Sequence, residues 1–235
     1  MICKKKISLY KSRVSKFKNK ISKDILSDKH NFSAEFAHSI EPVYFNKRKE
    51  LNYTEILEGE QWGKEWESAW FNLSGIVPKE WAGKKVVANL DFNGEALIFS
   101  DTGLPLQGLT NGSVFALDYS RDIYPLFEVA KGGEDVSLII EAAANALFGI
   151  NKEYDPPRNM PKRHGTYSGI VNKIRLCVFD EDLYQLWVDI DVLLNLYESL
   201  DSSSVRAARL LRGLCDVVNS YADDRKNTQI CREIG

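Results

Sequence analysis

Apolar residues recur at steps of three and four from the start of the chain. Ile7, Tyr10, Val14, Phe17, Ile21 and Ile25 fall on one face of a helix, with lysines over the rest. Asn31, followed by Ser33 and Glu35, predicts a second helical start, which Glu41-Pro42 would end. Residues 42–60 read as a connector anchored by Tyr44 and Phe45. From about residue 65 the apolar runs shorten. Ala69–Leu73, Lys85–Leu90, Ala96–Ser100, Ser113–Leu117 and Val136–Glu141 predict strands, and Ile170–Phe179 one more. Asp101-Thr-Gly103, Asn111-Gly112 and Lys131-Gly-Gly133 supply turns between them. In Asp91-Phe-Asn-Gly94 the Asn-Gly pair predicts a tight hairpin with positive φ at both residues, so that Lys85–Leu90 and Ala96–Ser100 pair antiparallel. Residues 151–168, with Pro156, Pro157 and Pro161, read as a long surface loop.

After residue 180 the spacing is helical again. Leu183, Leu186, Trp187, Ile190, Leu193, Leu194 and Tyr197 form one stripe, and Ala207, Leu210, Leu211, Leu214, Cys215, Val218 and Tyr221 a second. Asp201 with Ser202–Ser204 supplies the break and an N-cap. The pattern predicts a mainly β protein with flanking α elements. Its centre is an antiparallel β-sandwich of jelly-roll type, with an N-terminal helix before it and a C-terminal helical hairpin after it. The corresponding borders are 1–60 for the helix and connector, 61–180 for the sandwich, and 181–235 for the hairpin.

Composition narrows the functional classes. With 44% hydrophobic and 27% charged residues, the 235-residue chain is neither disordered nor collagen-like. Its net charge of −2 conceals an asymmetry: residues 1–30 hold ten basic and two acidic side chains, a local +8. Such a segment can bind nucleic acid or anionic lipid, but its regular apolar spacing favours an amphipathic helix docked on an acidic body. Neither nucleic acid nor a membrane is therefore expected as a partner. No apolar stretch reaches the ~20 residues of a membrane span, and no secretory signal opens the chain. Cys3, Cys177, Cys215 and Cys231 form no CxxC pair, so reduced thiols in the cytoplasm are expected and a zinc site in this chain is not.

Catalytic spacings are scarce. His30, His38 and His164 stand apart from one another and read as structural or surface residues. Glu95 and Glu141 flank strand-like runs and are the best pair for a self-sufficient glycoside hydrolase, although a Glu beside a strand more often orders a turn or meets a base. Trp62, Trp66, Trp70 and Phe71 lie within ten residues, with Trp81 following. An exposed ring on a sandwich can stack on a sugar, which makes Trp66 and Trp70, with Glu95 and Gln107 to accept hydroxyls, the carbohydrate-contact candidates. Burial in a core is the competing reading for each ring.

Five segments occur in order: Trp62-Gly-Lys-Glu-Trp66-Glu-Ser-Ala-Trp70-Phe71, Val77-Pro78-Lys-Glu-Trp81-Ala-Gly83, Asn93-Gly94-Glu95-Ala-Leu-Ile-Phe99, Gly103-Leu-Pro105-Leu-Gln107-Gly108-Leu109 and Ile140-Glu141-Ala-Ala-Ala-Asn145-Ala-Leu-Phe148-Gly149. Together they resemble the region preceding the catalytic domain in glycoside hydrolase family 38 α-mannosidases of the bacterial and fungal cytosolic or vacuolar type. The resemblance covers residues 60–150. It implies a non-catalytic N-terminal domain of a zinc-dependent retaining exo-α-mannosidase, serving as structural and oligomerisation support. Zinc and the nucleophile are then expected in a following domain that opens with a His-x-Asp motif, which this chain lacks. No catalytic or metal-binding residue carries over to this chain, which is expected to be an inactive N-terminal piece. The implied partners are the catalytic domain of the same polypeptide, a second copy in a homo-oligomer, and mannosides. An autonomous carbohydrate-binding module is the rival reading.

Overall fold

In the computed structural model, residues 4–110, 120–145 and 168–221 are described. They divide into two compact units, one of residues 28–178 and one of residues 1–27 with 179–235. The expected strand at 113–117, the loop at 151–168 (its last residue apart), His164, Cys3 and Cys231 lie outside the described residues.

The larger unit is a sandwich. In chain order its strands are β1 (Leu26–Asn31), β2 (Ser33–Ser39), β3 (Thr54–Glu55), β4 (Gln61–Lys64), β5 (Ser68–Ile76), β6 (Val86–Asp91), β7 (Glu95–Phe99), β8 (Pro105–Leu109), β9 (Ile123–Phe127), β10 (Asp135–Ala143), β11 (Ser168–Ile170) and β12 (Lys173–Phe179). A six-stranded sheet runs β3-β2-β5-β10-β7-β8 and a four-stranded sheet runs β1-β12-β6-β9, while β11 pairs with β4 alone. Period-two alternation sends Phe71, Leu73, Ile98, Leu138 and Ile140 of the larger sheet against Val86, Ala88, Leu90, Ile174 and Leu176 of the smaller one. Trp62 lies in this core and donates its indole N–H to the Phe92 carbonyl at 3.0 Å.

Two sequence expectations are overturned here. The segment after Asn31 is not a helix: it forms β2, because Phe32, Ala34 and Phe36 recur every second residue and face the core, while Ser33 and Glu35 face outward. Nor do the strands flanking Asn93-Gly94 pair. β6 bonds to β12 and β9, whereas β7 bonds to β10 and β8, so the chain steps from one sheet to the other at residues 92–94. Phe92 makes the step favourable by burying its ring 4.5 Å from Phe71. Asn93 has φ +53°, but Gly94 does not share the positive φ of a type I′ turn. Gly94 is required for a different reason, since a Cβ there would sit 2.3 Å from the Ala143 carbonyl oxygen.

The smaller unit is helical, with α1 (Lys4–Ile21), α2 (Glu181–Ser199) and α3 (Val205–Ser220). Asp180 caps α2 by accepting the Leu183 N–H, and Ser204 caps α3 by accepting the Ala207 N–H. Val14, Phe17 and Ile21 pack with Leu183, Leu186, Ile190, Leu214 and Val217. The basic face of α1 meets acids of α2: Lys11 pairs with Glu198 at 2.8 Å and Lys18 pairs with Asp191. Lys18 also lies 5.2 Å from the Trp187 ring centroid.

Candidate functional site on the outer face of the larger sheet

The sequence candidates gather on and around one sheet face. Register places Ala37, Trp70, Glu141 and Leu97 side by side across β2, β5, β10 and β7. The next outward row holds Glu35, Asn72, Ile139 and Phe99, and the row on the other side Ser39, Ser68, Ala143 and Glu95. These positions alternate with the core residues of the same strands and therefore face away from the sandwich interior.

Trp70 is not a stacking platform. It is only 1% exposed, because residues 43–50 lie over it. Its indole N–H donates to the Val43 carbonyl at 2.8 Å, Phe45 meets it edge-on at 5.8 Å, and Phe99 lies 5.2 Å away. The 3₁₀ turn Phe45–Glu50 is held in turn by buried Arg48, whose guanidinium sits 3.6 Å from the Phe45 ring centroid and donates to the Phe45 carbonyl.

Trp66 is the opposite case. It stands in the β4–β5 turn with φ +72° and is 55% exposed. Its backbone N–H donates to the Ala144 carbonyl at 2.8 Å, which fixes it at the same end of the sheet as Glu95 and Asn145. Glu95 is exposed, and its carboxylate accepts from the Asn145 side-chain amide at 2.6 Å while its own N–H donates back to Asn145 Oδ1. Beside Trp66, Glu67 accepts the Lys64 N–H and lies 2.8 Å from His38 Nε2. Those two contacts, the backbone one first, hold the Glu67 carboxyl below the usual range. Gln107 is not part of this end. It bridges the two sheets, donating from β8 to the Ile123 carbonyl of β9 at 2.8 Å.

Glu141 is part-buried beside Trp70 and Leu97, and burial pushes its carboxyl pKa up. Glu95 pairs across with Ala143, so Glu95 and Glu141 are diagonal neighbours on one face. The backbone positions of such neighbours are about 7–8 Å apart, and the Glu95 carboxylate is turned toward Asn145. Glu95 itself is exposed and tied to Asn145.

Two polar networks were not visible in the sequence. Arg175 makes a two-pronged contact with Glu58, at 2.8 Å from Nε and 2.5 Å from Nη2, and Ile174 N–H donates to the same carboxylate. Burial alone would raise the Glu58 pKa, but the Arg175 and Ile174 hydrogen bonds outweigh it and hold the carboxyl low. Asp122 accepts from Asn89 and Lys173. The partners in the first network are 117 residues apart, so no local signal could announce them.

Among the described residues no group of three or more His, Cys, Asp and Glu side chains could hold a metal ion. His30 lies edge-on to Trp81, His38 is engaged by Glu67, and Cys177 and Cys215 are both buried, free thiols. Burial raises the Cys177 pKa to about 11. No helix among the described residues is long and apolar enough to cross a membrane.

Comparison with known proteins matches the sandwich to one family. Mouse α-mannosidase 2C1 is 27% identical over 181 residues, covering 76% of this chain and 16% of its own length. Dictyostelium discoideum α-mannosidase G is 25% identical over 201 residues, covering 83% of this chain and 17% of its own length. The chain thus spans about a sixth of the length of these relatives. Among solved structures, Ruminococcus gnavus β-glucuronidase is similar over 66% of this chain and 28% of its own, with a TM-score of 0.41 and 13% identity. The family model described as "Alpha-mannosidase, jelly roll domain" matches residues 29–173, more than half of the sequence, and the chain belongs to that family.

Proposed function

We infer that the chain is a non-catalytic support module of an α-mannosidase, and that the removal of terminal α-linked mannose is carried out by a catalytic domain elsewhere in the same polypeptide. The observation that carries this reading is the family match over the sandwich, residues 29–173. On this account the zinc ion belongs to that other domain. In this reading residues 181–235 lead toward the catalytic domain, and the module also takes part in the contacts of a homo-oligomer. Exposed Val192 and Leu196, one turn apart on α2, support such a contact. The buried free thiols Cys177 and Cys215 support a cytoplasmic setting.

The test is an assay of the purified chain on an aryl α-mannoside, with and without zinc. No turnover is expected. Turnover that persists after removal of contaminating enzyme and disappears in Glu141→Gln would establish instead a self-sufficient hydrolase built on Glu95 and Glu141.

A second reading, carbohydrate binding, is favoured by one observation: exposed Trp66 shares a sheet end with the Glu95–Asn145 pair. An indole face beside a hydrogen-bonded carboxylate suits a sugar ring and its hydroxyls. Titration with mannose or an α-linked mannobiose, followed by tryptophan fluorescence, tests it. A saturable change lost in both Trp66→Ala and Glu95→Gln supports binding, and silence up to ~10 mM rejects it, since even a millimolar Kd corresponds to about −4 kcal/mol.

A further inference from the structure

The two central strands of the larger sheet differ in how completely they are paired. β10 pairs with β5 along its whole length, from Asp135 to Ala143, but with β7 only from Ile139 onward. β7 ends at Phe99, and the chain then turns away through Ser100–Gly103, where Ser100 N–H bonds the Leu104 carbonyl and not β10. Among the described residues, the first half of β10 therefore has a strand on one side only.

Which backbone groups this frees follows from the alternation of the ladder. At one end, Val77 N–H donates to the Glu134 carbonyl, and at the other, Ala144 N–H donates to Glu67. Even-numbered residues of this stretch thus turn their N–H and C=O toward β5, and odd-numbered residues turn theirs toward β7. The close approach of Gly94 to the Ala143 carbonyl agrees. By this parity Ile139, Glu141 and Ala143 bond to β7, while the N–H and C=O groups of Asp135 and Ser137 point into the space that β7 has left. Both residues are exposed.

That space is a groove of about 440 Å³. Its walls include Phe99 and Leu106 on one side and Tyr124 and Phe127 of β9 on the other. Asp101 and Asp135 contribute carboxylates, and among the described residues no lysine or arginine lines it. The strands bordering the groove offer poorer pairing sites, because β8 begins with Pro105 and β9 carries Pro125 at its centre, and neither proline has an N–H to donate.

We propose that this groove binds an extended, basic polypeptide segment, which adds as a strand to Asp135–Leu138 of β10 in the place vacated by β7. Three residues of an incoming strand, at ~3.4 Å each, span the positions opposite Asp135 and Ser137 and complete both backbone pairs. Alternate side chains then lie against the apolar walls, and lysine or arginine on the segment meets Asp101 and Asp135. The free row of backbone donors and acceptors selects a peptide, and the uncompensated carboxylates select its charge. The proposal goes beyond the support role inferred above and does not depend on it.

The test uses the whole chain and an end-capped octapeptide of alternating lysine and valine, with binding followed by NMR and amide hydrogen exchange. Saturating peptide is expected to slow exchange at the Asp135 and Ser137 amides at least tenfold and to leave Val136 and Leu138 unchanged. Ser137→Pro removes one gap-facing N–H without touching the β5 ladder and is expected to weaken binding at least tenfold, whereas Ser137→Ala leaves it unchanged. Asp101→Asn with Asp135→Asn, or glutamate in place of lysine in the peptide, should also weaken it at least tenfold. A thermal melt of each variant reports that the fold is kept. Equal binding by a peptide N-methylated at alternate residues would overturn strand addition. So would absence of binding at 1 mM peptide, or protection of Asp135 and Ser137 by mannobiose and not by the peptide.

Discussion

β5 carries two aromatic clusters back to back. Phe71 points inward and meets Trp62 and Phe92, with ring centroids 5.6 and 4.5 Å away. Trp70, its neighbour, points outward and meets Phe45 and Phe99. Both tryptophans are buried, and each donates its indole N–H to a backbone carbonyl, Trp62 to Phe92 and Trp70 to Val43. The difference lies in what closes them. The inner cluster is sealed by two sheets, whereas the outer one is roofed by a single short turn pinned by Arg48. Equal burial therefore rests on unequal support: exposing the inner cluster requires parting the sheets, whereas exposing the outer one requires only moving residues 43–50.

The most severe way to probe this contrast is Phe71→Ala, expected to cost about 3–5 kcal/mol by leaving a cavity between the sheets, read as a lower denaturant midpoint. Phe45→Ala removes only the roof and should cost about 1–3 kcal/mol. Its signature is a red shift of Trp70 emission in a chain that is still folded. Equal losses for the two variants would abolish the distinction between the clusters.

Glu141, beside Trp70, supplies a pH-dependent comparison. An acid whose folded pKa is raised binds its proton more tightly in the folded state, so its contribution to stability falls as pH rises from ~4.3 through the raised value. Glu141→Gln removes that loss. Relative to wild type, the variant should gain stability as pH rises from 4 to 7 in paired thermal melts, and a constant difference would refute the burial of this carboxyl. The smallest effect is expected for Trp66→Ala, within about 0.5 kcal/mol, with loss of the fluorescence component most easily quenched by acrylamide.

Legibility differed between the two units for a physical reason. In the helices, partners lie three or four residues apart, so the stripes of α1, α2 and α3 and the cap at Ser204 could be read directly. In the sandwich the periodicity located β5, β6, β7 and β10 but not their neighbours, because Asp91-Phe-Asn-Gly94 carries a hairpin signal while Phe92 gains more by entering the core. β2 is disguised in the sequence because Asn31, Ser33 and Glu35 imitate a helix start, although Phe32, Ala34 and Phe36 already alternate. For the candidate site, Glu141 and Glu95 share a face as only a register can decide. Trp66 and Trp70 separated into exposed and buried because Trp66 lies in a turn and not in the strand.

The step between sheets at residues 92–94 also sets the order in which a growing chain can complete itself. β6 is interior to the smaller sheet, between β9 and β12. A ribosome makes β6 before both of its neighbours and β12 last of the described strands, so both flanks of β6 are open until β9 emerges and one stays open until residues 173–178 arrive to pair with it. During that interval Val86, Val87, Ala88 and Leu90, which are all buried in the finished protein, form an apolar strand with an open edge. A nascent chain halted before residue 173 is thus a template for aggregation, and the window closes only when β12 arrives.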